Sequence, residues 1–150
     1  MASTSDDAAA RPSGIGHVRL TVTDIERSKA FYSAVFGLSP QLDFSDQAGD
    51  AGARQDPERL YGGCVFSIGD QLLGLRPVAD PGDRFDSTRV GLDHVSLSVG
   101  SVAALDAAAD RLQELGVPHG DVTKLELGMA ILSLQDPDDI NLELSAPLSE

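Results

Sequence analysis

Gly14-Ile15-Gly16-His17-Val18-Arg19-Leu20-Thr21-Val22 is answered, 77 residues further on, by Gly91-Leu92-Asp93-His94-Val95-Ser96-Leu97-Ser98-Val99. The two stretches share their first glycine, their histidine and their apolar residues at alternate places. Alternation with period two marks a half-buried strand. Val18, Leu20 and Val22, or Val95, Leu97 and Val99, then face a core, while His17 and His94 point to the opposite face. A chain that writes one strand twice, with a histidine in register, is held to a fold of two equivalent modules.

The segments after the two strands repeat as well. Asp24 stands where an N-cap belongs, and Ile25, Ser28, Phe31, Tyr32, Val35 and Phe36 recur at helical spacing up to Gly37, predicting a helix over 25–36. A short strand over 38–44 comes next, and 45–58, rich in Asp, Gly, Ala and Gln without periodicity, reads as a mobile loop. Strands over 64–68 and 71–78 meet at Gly69-Asp70, a pair suited to a hairpin turn, and 79–89 is a linker. In the second half Ser101 caps a helix whose Val102, Leu105, Ala109, Leu112 and Leu115 form one stripe ending at Gly116. A short strand and connection over 117–124 come after it, then strands over 128–135 and 140–145 around an Asp136-Pro137-Asp138-Asp139 turn. Each half reads β-α-β-β-β, module 1 over about 14–78 and module 2 over about 91–147 of a single domain.

Aligning the two last hairpins from their turns places Leu73 on Leu142, Gly74 on Glu143 and Leu75 on Leu144. Leu142 and Leu144 take the helix side, so Glu143 points the same way as the histidines. Two imidazoles and a carboxylate suit a divalent ion (Fe, Mn, Zn, Ni or Co) and leave coordination positions open. An ion so held acts as a Lewis acid on a substrate that offers it two oxygens. His17, His94 and Glu143 converge in this way only if the two halves pair into one sheet.

Arg19 and Arg76 lie on the same face, where a guanidinium holds a substrate carboxylate or phosphate. The plainer role for each is a salt bridge to one of the 24 acidic residues, which outnumber 11 basic ones. Glu143 is also a candidate base. His119 reads as an exposed structural histidine, Phe31, Tyr32 and Phe36 as helix core, Cys64 as a buried apolar residue, and 136–139 as a turn. The net charge of -13 argues against nucleic acid and membrane partners. No apolar run approaches the roughly 20 residues a bilayer needs. Residues 1–13 lack the basic and apolar regions of a secretion signal and read as a disordered tail, and the lone Cys64 permits no internal disulfide, which makes the cytoplasm the expected compartment.

The Gly-Ile-Gly-His-Val and Gly-Leu-Asp-His-Val openings, Phe31-Tyr32 before Phe36-Gly37-Leu38, and Asp136-Pro137-Asp138 followed by Leu142-Glu143-Leu144 together resemble one known family. It is the vicinal oxygen chelate superfamily, the glyoxalase, bleomycin-resistance and extradiol dioxygenase group, and the resemblance covers residues 14–147. It implies an α+β fold in which two βαβββ modules form a cupped, barrel-like mixed sheet with helices outside, often as a homodimer. It carries His17 and His94 onto the first-strand metal ligands and Glu143 onto the last-strand ligand of module 2. Gly74 falls where glyoxalase I has a glutamate, so one base of its two-sided proton shuttle is missing. No histidine lies between His17 and His94 to serve as the additional one of extradiol dioxygenases, and no clear potassium loop or phosphonate cluster of the fosfomycin enzymes is visible.

The expected function is that of a metal-dependent glyoxalase-like lyase or isomerase, or a dioxygenase-type enzyme, on a small substrate that chelates the metal through vicinal oxygens. The alternative is a non-catalytic, bleomycin-resistance-like protein that sequesters a drug. The charge of -13 favours a cationic ligand of that kind, while the absence of Trp and the presence of only two Tyr disfavour an aromatic cleft.

Overall fold

Asp24 and Ser101 each end a strand and start a helix. The Asp24 carboxylate accepts from the Arg27 N–H at 3.1 Å and the Ser101 hydroxyl from the Ala104 N–H at 3.2 Å, caps that contribute about 1 kcal/mol each. Both helices close on a left-handed glycine, Gly37 (φ 65) and Gly116 (φ 68), where a side chain would be strained. The computed structural model describes residues 9–149, and the expected tail falls, over residues 1–8, outside them.

The elements run β1 (His17–Thr21), α1 (Ile25–Phe36), β2 (Pro40–Asp43), β3 (Cys64–Ile68), β4 (Gln71–Arg76), then β5 (Val95–Ser98), α2 (Val102–Leu115), β6 (Thr123–Leu125), β7 (Met129–Gln135) and β8 (Asn141–Pro147). Each module builds its own four-stranded mixed sheet, in the order β1-β4-β3-β2 and β5-β8-β7-β6. The sheets are cupped and do not close into a barrel. The halves thus keep two separate sheets instead of merging into one. First and last strands of each module run parallel, with Arg19 opposite Gly74 and Ser96 opposite Glu143, so that Gly74 and Glu143 hold equivalent places in the two modules. The aperiodic stretch 45–58 is built of short 3-10 turns, held by Arg59 on Asp50 and Asp56 and by Lys29 on Asp43. Its order comes from ion pairs and turns, which leave no apolar period.

Helix α1 packs on β4, and α2 on β7 and β8. One apolar core draws on both modules, with Val22, Tyr32, Phe66 and Leu75 from the first and Leu105, Leu112, Leu132 and Leu142 from the second. At its centre the Tyr32 hydroxyl donates to Asp136 at 2.8 Å, and Asp136 also accepts from the N–H groups of Asp138 and Ile140 at 2.8 and 2.9 Å. Asp138 in turn accepts from the Thr23 N–H at 2.9 Å, the Thr23 hydroxyl at 2.6 Å and Arg27 at 2.9 Å. The stretch 136–139 is therefore more than a turn; it clasps module 2 to the start of α1. No helix among the described residues is long and apolar enough to cross a membrane.

Burial, and then the Asp136 carboxylate, push the Tyr32 hydroxyl up from its ordinary value of 10. The folded protein keeps that proton above pH 10 while the unfolded chain releases it, so Tyr32 contributes stability below pH 10 that is lost as pH rises beyond. Urea denaturation of Tyr32→Phe at neutral pH is expected to show a loss of about 1–3 kcal/mol, because Asp136 loses a buried donor. Above pH 10 the wild-type stability should fall more steeply than the variant's, by up to about 1.4 kcal/mol per pH unit. Parallel alkaline slopes would contradict this account.

Candidate active site

On module 2 the outward face of β5 and β8 carries a short polar array. Ser96 Oγ lies 2.9 Å from Glu143 Oε1 and 3.1 Å from Ser145 Oγ. Its single proton goes to the carboxylate, which leaves it free to accept from Ser145. His94, just before β5, has Nδ1 2.7 Å from Asp93 Oδ1 and Nε2 3.8 Å from Glu143 Oε2. An ionised carboxylate only accepts, so Nδ1 carries a proton towards Asp93, and a neutral ring would turn its Nε2 lone pair towards the Glu143 side. Nε2 and Oε2, 3.8 Å apart and each oriented from behind by its own partner, would then suit a cation between them.

The two candidate ligands of module 2 are thus brought together. His17 lies on β1 opposite Leu72 and shares with His94 a cleft of about 500 Å³ whose walls include Val18, Leu73 and Val95. Among the described residues, no three His, Cys, Asp or Glu side chains gather closely enough to hold an ion.

Module 1 has a different face. A Cβ at Gly74 would lie 3.3 Å from Arg19 Nε and 3.4 Å from its Cγ, so the glycine position is covered by the arginine across the ladder. Arg76 sets its guanidinium 3.7 Å over the Tyr61 ring, and the Arg19 guanidinium lies 5.7 Å from the same ring. Among the described residues neither arginine makes a salt bridge, the plainer role proposed for them; the acids pair instead with Arg27, Lys29, Arg59 and Arg84. Arg76 Nε is buried without a hydrogen-bond acceptor.

Tyr61 is the participant that periodicity does not disclose. Leu60 (φ 49) and Tyr61 (φ 58) are both left-handed, a conformation that costs roughly 1–2 kcal/mol per residue with a side chain. Gly63 closes the turn where no side chain fits, since a Cβ there would run into the Leu75 carbonyl oxygen. The tandem Gly62-Gly63 after Leu60-Tyr61 was its signal in the sequence.

The remaining residues behave as packing. His119 is half-buried, with Nδ1 2.7 Å from the Gly120 carbonyl and Nε2 3.2 Å from Gln113, so it is structural but less exposed than expected. Cys64 is fully buried, and burial pushes its thiol up to about 12, which leaves it unreactive at neutral pH.

The model of the Glyoxalase/Bleomycin resistance protein/Dioxygenase superfamily matches residues 14–144. No curated protein matches the chain. Among solved structures, the chain is similar to a glyoxylase/bleomycin resistance protein/dioxygenase domain from Frankia sp. EAN1pec, at 27% identity and a TM-score of 0.72, over 93% of this chain and 95% of that one. It also shares its fold with lactoylglutathione lyase from Agrobacterium tumefaciens, at 24% identity and a TM-score of 0.65, over 91% and 96% of the two chains. A mutant of the fosfomycin resistance protein FosX from Listeria monocytogenes, complexed with Mn(II) and 1S,2S-dihydroxypropylphosphonic acid, has the fold at 18% identity and a TM-score of 0.68, over 93% and 95%.

Proposed function

The chain belongs to the Glyoxalase/Bleomycin resistance protein/Dioxygenase superfamily, and on that footing we propose that it is a metal-dependent enzyme acting on a small substrate with two adjacent oxygens. The observation that carries this reading is the pair of lone-pair atoms, His94 Nε2 and Glu143 Oε2, held 3.8 Å apart by Asp93 and Ser96. His94 and Glu143 would hold a divalent ion of the Fe, Mn, Zn, Ni or Co group, with His17 as the third ligand. Such an ion, when bound, supplies Lewis-acid stabilisation of charge developing on the substrate oxygens.

His17 reaches this site from a second copy of the chain. Support comes from the incomplete set within one chain and from Ile15, Leu72 and Leu92, apolar and 70%, 41% and 54% exposed, around the two histidines. A homodimer that set module 1 of one copy on module 2 of the other would cover them and complete the ligand set.

The chain's own groups then divide the work. Asp93 fixes the His94 tautomer, and Ser96 tethers one oxygen of Glu143. Glu143 Oε2, one of the two atoms offered to the ion, doubles as the base by leaving it, accepting a proton from, or returning it to, the substrate carbon beside the chelating oxygens. With glycine at 74, the site has a base on one side only, which suits lyase or isomerase chemistry with proton transfer at a single face. The competing reading, a drug-sequestering binder, rests on the charge of -13, but the two arginines without acidic partners give the module 1 face the opposite sign.

Calorimetric titration of the full-length protein with Mn(II), the ion in the Listeria complex, tests the ligands. The wild type should bind; His94→Ala and Glu143→Gln should each weaken binding at least 100-fold, and Asp93→Asn by about 10–100-fold through loss of ring orientation. A wild type indifferent to Mn(II), Fe(II), Co(II), Ni(II) and Zn(II) would overturn the reading. Co-expression of His17→Ala with Glu143→Gln tests the shared site. Mixed dimers would regain one intact site of two, whereas sites built within one chain would stay empty of metal in every mixture.

A further inference from the structure

Comparing the modules at equivalent positions shows what the missing carboxylate was exchanged for. The paired registers set Arg19, Gly74 and Arg76 of module 1 against Ser96, Glu143 and Ser145 of module 2. One face carries a carboxylate fixed by hydroxyls; the other carries two guanidiniums and no acid. The exchange is coupled in space, because the Arg19 side chain lies against the position that a side chain at 74 would need.

We infer that Arg19 and Arg76, backed by Tyr61, form an oxyanion-binding subsite, and hence that the substrate carries a carboxylate or phosphate-type group in addition to its chelating oxygens. This rests on the metal-dependent reading for the chelating end only. Like charges repel, and gathering two guanidiniums around one ring in a chain with 24 acids is unfavourable unless something neutralises them. Tyr61 compensates only in part, since an aromatic face is a weak partner for a cation. Arg76 is also half-buried, with Nε shielded from water and lacking an acceptor. An oxyanion on the exposed side of the pair supplies the missing negative charge, through the paired N–H geometry that suits guanidinium to carboxylate and phosphate.

Rigidity is built in behind the arginines. The left-handed turn at Leu60 and Tyr61, followed by a Gly63 set too close to the Leu75 carbonyl to carry a side chain, holds the ring in place at the cost of local strain. Strain of this kind persists where surrounding structure over-determines it, and here it fixes the platform on which Arg76 lies. The subsite also has a reach. Arg19 comes two residues after His17 on the same face of β1, a strand advance of roughly 7 Å. A substrate spanning ligand and clamp is therefore small, with its anionic group only a few bonds from its chelating oxygens.

The test monitors the side-chain Nε–H resonances of the arginines while full-length protein, with and without diamagnetic Zn(II), is titrated at low ionic strength with malonate and, separately, inorganic phosphate. Saturable shifts of Arg19 and Arg76 are expected, and the tighter of the two anions identifies the oxyanion type. Arg19→Met and Arg76→Met should each weaken binding at least tenfold while Mn(II) affinity is kept. Gly74→Glu, which puts a carboxylate beside Arg19, should weaken anion binding by a similar factor, and Arg111→Met, whose guanidinium bonds the Ala34 carbonyl, should leave it unchanged. Anion binding without metal binding would uphold this subsite and sink the metal reading. Metal binding without saturable anion shifts, or equal anion affinity in wild type and Arg76→Met, would overturn the subsite.

Discussion

Asp136 lies 4% exposed between the two modules and is held there by three hydrogen bonds, one of them from Tyr32 of the opposite module. A carboxylate taken so far from water is unfavourable until its lone pairs are occupied, so its position is set by the donors that surround it. Burial raises its pKa even with those donors in place, which measures how strongly the site resists charge. The arrangement of the modules depends on this satisfaction being complete. Apolar contacts among Leu105, Leu132 and Phe66 are non-directional, whereas the Asp136 bonds admit one relative placement of α1 and the β7–β8 turn.

That placement leaves the two polar faces free to diverge. Both modules keep the same strand register and the same helix caps, so the backbone scaffold is one design used twice. Besides the short 3-10 turns between β2 and β3, the modules differ at a few positions, where one copy presents Glu143 with serines and the other Arg19 and Arg76 with Tyr61. On the proposed reading, the duplication would divide two tasks, chemistry at a carboxylate and recognition of charge, between the two faces.

Local rules carried most of the fold. Alternation found β1 and β5, capping residues and left-handed glycines bounded both helices, and the hairpin alignment put Leu73 and Leu142 at equivalent places, opposite Val18 and Val95. These signals are written by neighbours in the chain, so a single sequence displays them. The pairing of His94 with Glu143 was legible for the same reason, because strand parity and a repeat decide which side chains share a face. Tyr61 was not, since what singles it out is its ring beside the guanidiniums of Arg19 on β1 and Arg76 on β4, elements distant from it in sequence. Nor was the separation of the two sheets, which is decided by how the helices and the Asp136 turn pack. The order within 45–58 was hidden because ion pairs have no period.

In each module the strand bearing the histidine pairs with the last strand to be synthesised, His17 beside Leu72 and Val95 beside Leu142. Parallel pairing across a whole module closes a long loop, and its entropy must be surrendered before any ladder bond forms in return. The antiparallel hairpins β3–β4 and β7–β8 close far shorter loops and are available earlier. The strands that bear the candidate site are thus the ones whose docking completes each module, so a chain interrupted before β8 has neither Glu143 nor a place for β5 to rest.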